Sequence, residues 1–270
     1  MNKFNVVFLI FMLASCSFFN NERSVWLQNN QGQSMHVKIH NGSGNKLAFL
    51  MHGLASDMNH QTIQSAKKAF LDNGYTVVIF DARYSLGKSH GNVSNVSLNT
   101  FLEDLETVVN WAKKQDFYHE PFAIAGHSLG GATASLYSHN NDNISFLIPI
   151  APVTGGLQWE NSCMKNMADF CKQWKEKGYY EYKQNDKSVN IFYTVVDEAK
   201  SYNALELAQS IKAPALFIIA ENDRVIEEKD VQNVARLMKA KITKISQSTH
   251  NFTKKQNQDD LYQAIYNFIK

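Results

Sequence analysis

Phe122-Ala123-Ile124-Ala125-Gly126-His127-Ser128-Leu129-Gly130-Gly131-Ala132-Thr133-Ala134-Ser135-Leu136-Tyr137 is the stretch on which the fold turns. Its first four residues form an unbroken apolar run, as expected of a strand buried on both faces. Ala132 to Tyr137 is an alanine-rich run of helical character. Between the two, Gly126-x-Ser128-x-Gly130 fits a sharp strand-to-helix turn. Such a turn holds its serine in a strained backbone conformation and demands neighbours two residues away that are nearly free of side chain. The helix N-terminus beneath the serine supplies unpaired amides and the positive end of a dipole where an oxyanion could form. Gly-x-Ser-x-Gly alone is a common chance match, but between an apolar run and a helix it marks Ser128 as a candidate nucleophile.

A serine hydroxyl is a poor nucleophile until a base takes its proton, and a histidine base needs a carboxylate to fix its tautomer. Downstream, Ile218-Ile219-Ala220-Glu221-Asn222-Asp223-Arg224-Val225-Ile226 carries an apolar run followed by two acids, Glu221 and Asp223. Ser246-Gln247-Ser248-Thr249-His250-Asn251-Phe252 holds the only histidine after His139. The order serine, acid, histidine is that of one large class of serine enzymes and differs from both chymotrypsin and subtilisin.

Around these segments, short apolar runs alternate with amphipathic stretches of helical period, the pattern of parallel strands joined by crossover helices and hence of an α/β fold. Strands are expected at 47–51, 76–80, 122–125, 146–150, 215–220 and 241–246. Helical stripes are carried by Ile63, Ala66 and Phe70, by Leu98, Phe101, Leu102, Leu105, Val108, Val109 and Ala112, and by Leu261, Ile265, Phe268 and Ile269. The runs 25–27 and 35–39 flank Asn-Asn-Gln-Gly-Gln and read as an antiparallel hairpin at the sheet edge. About sixty residues, 153–212, separate two core strands where a crossover needs about a dozen or more. This insertion contains Trp159, Phe170, Trp174, Tyr179, Tyr180, Tyr182, Phe192, Tyr193 and Tyr202. Inserted after the C-terminal end of a strand, it reads as a cap over the ligand-binding edge of the sheet, with some of its aromatics lining a pocket.

With these residues in place the chain from Lys46 to Lys270 resembles the α/β-hydrolases, in particular their cinnamoyl/feruloyl-esterase and monoacylglycerol-lipase-like branch. His52-Gly53-Leu54-Ala55 is similar to the family's oxyanion loop after the third strand. Phe80-Asp81-Ala82-Arg83-Tyr84-Ser85-Leu86-Gly87-Lys88-Ser89-His90-Gly91 resembles its F-D-x-R-G-x-G-x-S-x-G segment, with Tyr84 where a glycine is usual. The Asp223 segment resembles its acid turn, which selects Asp223 over Glu221. The resemblance implies an α/β-hydrolase fold, a mostly parallel central sheet with helices on both faces and a small cap. It further implies a Ser128-His250-Asp223 triad, an oxyanion hole of the Leu54 and Leu129 backbone amides, and no cofactor or metal. The expected activity is cleavage of a carboxylic ester, the substrate a small-molecule ester or a lipid. Lysophospholipase or monoacylglycerol lipase activity is the alternative, and a non-catalytic envelope lipoprotein that binds without turnover is the reading from another class.

The chain's 270 residues, 44% hydrophobic and 19% charged with a formal charge of +2, exclude a disordered protein and give no basic surface for nucleic acid. Lys3 and the apolar run that follows read as a secretory leader, too short for a membrane-spanning helix. Leu13-Ala14-Ser15-Cys16 resembles a bacterial lipobox. Residues 1–15 are therefore expected to be a signal peptide, Cys16 the lipid (palmitate) attachment point, 16–24 a tether and 25–270 the enzyme domain. The expected location is the cell envelope, lipid-anchored, with the outer membrane or the periplasmic side favoured. The remaining thiols, Cys163 and Cys171, would lie about 12 Å apart on one continuous helix, beyond the roughly 7 Å reach of a disulfide, so buried free thiols are expected unless the cap helix breaks between them, in which case an oxidising compartment would allow a bridge. His52 is expected to shape its loop, His60 and His127 to be structural or pocket-wall residues, and His36, His40, His90, His119 and His139 to lie on the surface.

Overall fold

The structure, a computed structural model, describes residues 22–184 and 187–270. The leader and Cys16 lie outside the described residues. Eight strands form one sheet in the order β1 (Glu22–Gln28), β2 (Ser34–His40), β4 (Tyr75–Phe80), β3 (Lys46–Met51), β5 (Phe122–His127), β6 (Ile144–Ile150), β9 (Leu216–Ala220) and β10 (Lys241–Ile245). β1 and β2 are antiparallel to their neighbours and the remaining pairs are parallel. This is the α/β-hydrolase fold.

The central strands are apolar throughout because each feeds two cores. In β3, Leu47, Phe49 and Met51 face one layer while Ala48 and Leu50 face the other. β5 divides Phe122 and Ile124 from Ala123 and Ala125 in the same way. On one face lie α1 (Gln61–Asp72) and α9 (Lys255–Ile269), which insert Ile63, Ala66, Phe70, Leu261, Ile265 and Ile269. On the other lie α2 (Leu98–Ala112), α3 (Leu129–His139) and α8 (Glu228–Leu237), with Phe101, Leu105, Val108, Leu129, Ala132, Val231 and Val234. α2 starts where it does because the Ser97 hydroxyl accepts from the Thr100 amide while Thr100 accepts from the Ser97 amide, a reciprocal cap.

The edge departs from the sequence reading in two places. β1 begins at Glu22, inside the stretch read as tether, and pairs Glu22, Arg23 and Ser24 with His40, Ile39 and Lys38. His36 and His40, expected on the surface, are buried: they lie on the face of β2 opposite Met35, Val37 and Ile39, where the Ser24 hydroxyl and Asp81 adjoin His36. In the segment after β4, Tyr84 adopts φ 57°, the left-handed conformation that its usual glycine would take freely. Its ring lies over Gly91, where a Cβ would meet Tyr84 Cδ1 at 2.2 Å, and its hydroxyl accepts from Gln33 Nε2 at 3.0 Å. A glycine on the facing side of the turn thus accommodates the tyrosine.

After β6 the chain leaves the sheet for the cap: α4 (Gly156–Asn166), α5 (Ala168–Lys177), the two-stranded antiparallel β7 (Tyr179–Gln184) and β8 (Lys187–Phe192), and the short α6 (Thr194–Glu198) and α7 (Ala204–Leu207). A bridge between Gly155 and Asn203 closes the base of the excursion. The expectation of free thiols is overturned, since Cys163 and Cys171 are joined by a disulfide with Cα atoms 5.8 Å apart. The helix breaks between them. Met167 takes φ −145°, ψ 47°, so α5 turns back against α4 and the spacing of a continuous helix no longer applies. Trp159 and Trp174 then meet edge to face at 6.2 Å.

Candidate active site

Ser128 stands between β5 and α3 with φ 55° and ψ −115°, the strained elbow that its flanking glycines permit. A Cβ on Gly126 would meet the Gly130 carbonyl oxygen at 2.1 Å, and one on Gly130 would meet the His52 carbonyl oxygen at 2.4 Å. Neither residue can therefore carry a side chain without opening the turn. The Ser128 amide is tied to Ile150 O at 2.9 Å, anchoring the elbow to β6.

The structure brings the three separated candidates together. The Ser128 hydroxyl lies 2.9 Å from His250 Nε2, and His250 Nδ1 lies 2.7 Å from Asp223 Oδ2. With Nδ1–H donating to the carboxylate, Nε2 is left to accept the serine proton. Asp223 is held in turn, its Oδ1 accepting the amides of Val225 at 2.8 Å and Ile226 at 3.0 Å. Glu221, the other acid beyond β9, is exposed and accepts from Ser246 Oγ and the Gln247 amide, so it braces the histidine loop from outside.

Leu129 is the first residue of α3, so its amide has no partner within that helix. The other expected donor, Leu54, follows Gly53, where a Cβ would meet Ser128 Cβ at 3.0 Å, so the loop after β3 passes directly over the nucleophile. His52 shapes that loop. The Ala82 amide donates to its Nε2 at 3.0 Å, and its Nδ1–H donates to Gly53 O at 2.8 Å. Both nitrogens are spent on backbone, and burial lowers the ring's pKa, keeping it neutral. Asp81 performs a similar task. It is buried, accepting from the Met58 amide at 2.9 Å and the Lys88 amide at 2.8 Å. Arg83 pairs with buried Asp104 and with Glu103.

Above the triad lies a cavity of about 170 Å³. Its floor includes Leu54, His127, Ser128, His250 and Asn251, and its cap wall is Trp159, Cys163, Met167, Phe170, Trp174, Tyr180 and Tyr182. Trp174 organises this wall: its indole N–H donates to Ile191 O at 2.9 Å, and its ring meets Tyr180 and Tyr193 edge to face at 5.0 and 5.1 Å. No carboxylate lines the cavity among the described residues. The β7–β8 hairpin, which supplies Tyr180 and Tyr182, is not among the strands expected from the sequence, although two β-prone runs about Gln-Asn-Asp-Lys carry a hairpin signal. Also unanticipated is Arg224, whose guanidinium donates to Asn166 O at 2.6 Å. With Asn166 and Lys165 both on Glu227, it fastens the break between α4 and α5 to the acid turn.

Residues 43–192 match the family described as serine aminopeptidase, S33. The chain belongs to this family and, with it, to the α/β-hydrolase superfamily of serine hydrolases. No curated protein matches it. Among solved structures, Est1E from Butyrivibrio proteoclasticus with ferulic acid bound superposes with a TM-score of 0.72 at 20% identity, covering 90% of this chain and 97% of that one. The Pyrococcus furiosus esterase Pf2001 also gives 0.72, at 18% identity, over 92% of this chain and 90% of that one. Mouse alpha/beta hydrolase domain-containing protein 10 gives 0.71 at 18% identity, over 92% and 98%.

Proposed function

We propose that this protein is a serine hydrolase that cleaves carboxylic esters of small acids through an acyl-enzyme. The observation that carries the reading is the relay from Ser128 Oγ through His250 to Asp223, at 2.9 and 2.7 Å, beneath an aromatic cavity that, among the described residues, is lined by no carboxylate. His250 takes the Ser128 proton as the hydroxyl attacks the ester carbonyl, and the amides of Leu54 and Leu129 hold the developing oxyanion. The protonated imidazole then gives its proton to the departing alcohol. Water, deprotonated by the same ring, releases the acid, while Asp223 fixes the tautomer throughout.

A family named for aminopeptidases raises the question of a peptide substrate. Recognition of a peptide's terminal ammonium calls for an acid in the pocket, and the lining offers none among the described residues. A cavity of about 170 Å³ is comparable with one that admits a benzene ring, roughly 150 Å³. It suits a single-ring or short acyl group better than a long fatty chain, which favours esterase over lysophospholipase or monoacylglycerol lipase. The ferulic acid bound by Est1E is a ligand of that size class. Anchoring through lipidated Cys16, placing the enzyme in the cell envelope, is part of the same proposal and rests on the Leu13-Ala14-Ser15-Cys16 resemblance.

A panel of p-nitrophenyl esters of graded acyl size, run beside a fluorophosphonate probe, tests the activity. Hydrolysis of short or aryl esters and labelling are expected in the wild type, with both lost in Ser128→Ala by several orders of magnitude. Undiminished hydrolysis by Ser128→Ala would refute the assignment.

A further inference from the structure

We propose that His127 is a positioning residue for the hydrolytic relay, its Nε2–H holding the main-chain carbonyl of His250 and thereby setting where the His250 ring stands. This rests on the proposed function, since a positioning role has meaning only if His250 is the base.

His127 is the residue before Ser128, the last of β5, and lines the cavity floor with only 3% of the residue exposed. Its Nε2 lies 2.9 Å from His250 O. A carbonyl can only accept, so the bond requires the proton on Nε2. Burial first, then the neighbouring His250 and His60, hold the His127 imidazole far below the ordinary histidine range. The ring therefore stays neutral and has a single N–H to give. Its Nδ1 is buried without a partner among the described residues and faces Gly53, where a Cβ would meet it at 3.2 Å. One side of the imidazole thus abuts the oxyanion loop while the other holds the catalytic loop.

The ring is also boxed in. It stacks on His60 at 5.4 Å and 8°, lies 4.9 Å from the His250 ring, and meets Phe252 edge to face at 6.3 Å. The next carbonyl of the loop, Asn251 O, receives Gln61 Nε2 at 2.8 Å. Two successive peptide groups beneath the His250 side chain are thereby fixed, one of them by His127. Proton transfer needs Nε2 within hydrogen-bond reach of Ser128 Oγ, and a misplacement of about 1 Å can cost about 10²-fold in rate. A histidine present only to fill space would contribute shape; this one contributes a directed N–H.

Three substitutions separate the two roles. Glutamine reaches as far as Nε2 and restores a donor, asparagine reaches only as far as Nδ1, and phenylalanine keeps the ring and removes the donor. Expected, per Ser128 titrated with fluorophosphonate, is a fall in kcat of roughly 30- to 100-fold for His127→Phe and His127→Asn with KM within about twofold. His127→Gln should retain activity within about fivefold. Should His127→Phe fail to fold, the Asn and Gln pair carries the comparison. Equal rates for the Asn and Gln variants, or a wild-type rate in His127→Phe, would overturn the proposal. A second readout needs no activity: ¹⁵N–¹H correlation spectra of histidine-labelled wild type should show His127 as the neutral Nε2–H tautomer from pH 5 to 8. An Nδ1–H or doubly protonated ring would overturn the proposal. If the wild type takes no fluorophosphonate label, the hydrolase reading is what fails. The tautomer then decides by itself whether the donor to His250 exists.

Discussion

The C-terminal rim of the sheet and the cap above it are built on different terms. At the rim, the nucleophile turn and the acid are placed largely by residues close to them in the chain, the Ser128 elbow by Gly126 and Gly130 and Asp223 by the amides of Val225 and Ile226, while His250 is held from His127, 123 residues away. In the cap, positions are fixed by contacts between one element and another: Trp174 of α5 on Ile191 of β8, Cys163 of α4 on Cys171 of α5, and Asn166 of α4 on Arg224 of the acid turn. A cap of this kind can vary in shape without disturbing the rim. In the proposed function the cap selects which ester enters, and the rim carries the chemistry that follows.

The sharpest way to break that contrast is at the acid turn, where two carboxylates lie two residues apart. Asp223→Asn should lower kcat about 10⁴-fold by favouring the wrong tautomer of His250. Glu221→Gln, which only loosens an exposed brace, should stay within a few-fold. Steady-state kinetics of both variants with one activated ester makes the comparison, and comparable losses would mean that the two acids share the role.

A smaller effect is expected from opening the cap's covalent tie. Replacing Cys163 and Cys171 together by serine removes a short-loop constraint worth roughly 2–3 kcal/mol, readable by chemical denaturation with and without reductant. Because Cys163, Met167 and Phe170 all line the cavity, the ratio of kcat/KM for aryl to acetyl esters should move. Turnover of the acetyl ester should hold within a few-fold. Loss of both together would mean that cap and rim are not separable.

The smallest expected effect concerns acid. Burial lowers His60 and His40 to about 4, so each stays neutral in the fold at a pH where the unfolded chain already takes a proton. Their contribution is complete above about 6.5 and is lost as pH falls toward 4, on the order of 1–2 kcal/mol per ring. His60 also caps α1, accepting from the Thr62 amide, which a protonated ring cannot do. Residues 156–207 contain no histidine. Hydrogen exchange compared at pH 7 and pH 5 should therefore loosen the start of α1 and β2 before α5 and β7.

Much of the rim was legible in the residues alone. Ser128 was marked by the glycines at Gly126 and Gly130, and His250 by being the single histidine past His139. Local periodicity also placed the central strands, since strands facing two cores are apolar throughout. Choosing Asp223 over Glu221 required resemblance, because two acids on one short turn look alike until their partners are known.

What the amino-acid sequence determined by itself was the α/β alternation, the strained turn at Ser128 and the order of the chemistry-bearing residues, because each rests on interactions among neighbours in the chain. Only the tertiary structure decided that α4 stops at Met167, where no proline or glycine stands, and so that Cys163 can reach Cys171. It alone decided that Tyr84 tolerates a left-handed backbone because Gly91 makes room, and that His127 faces the carbonyl of His250, 123 residues away. Such outcomes depend on which distant groups are close enough to touch, and that distance is set by the packing of the whole chain.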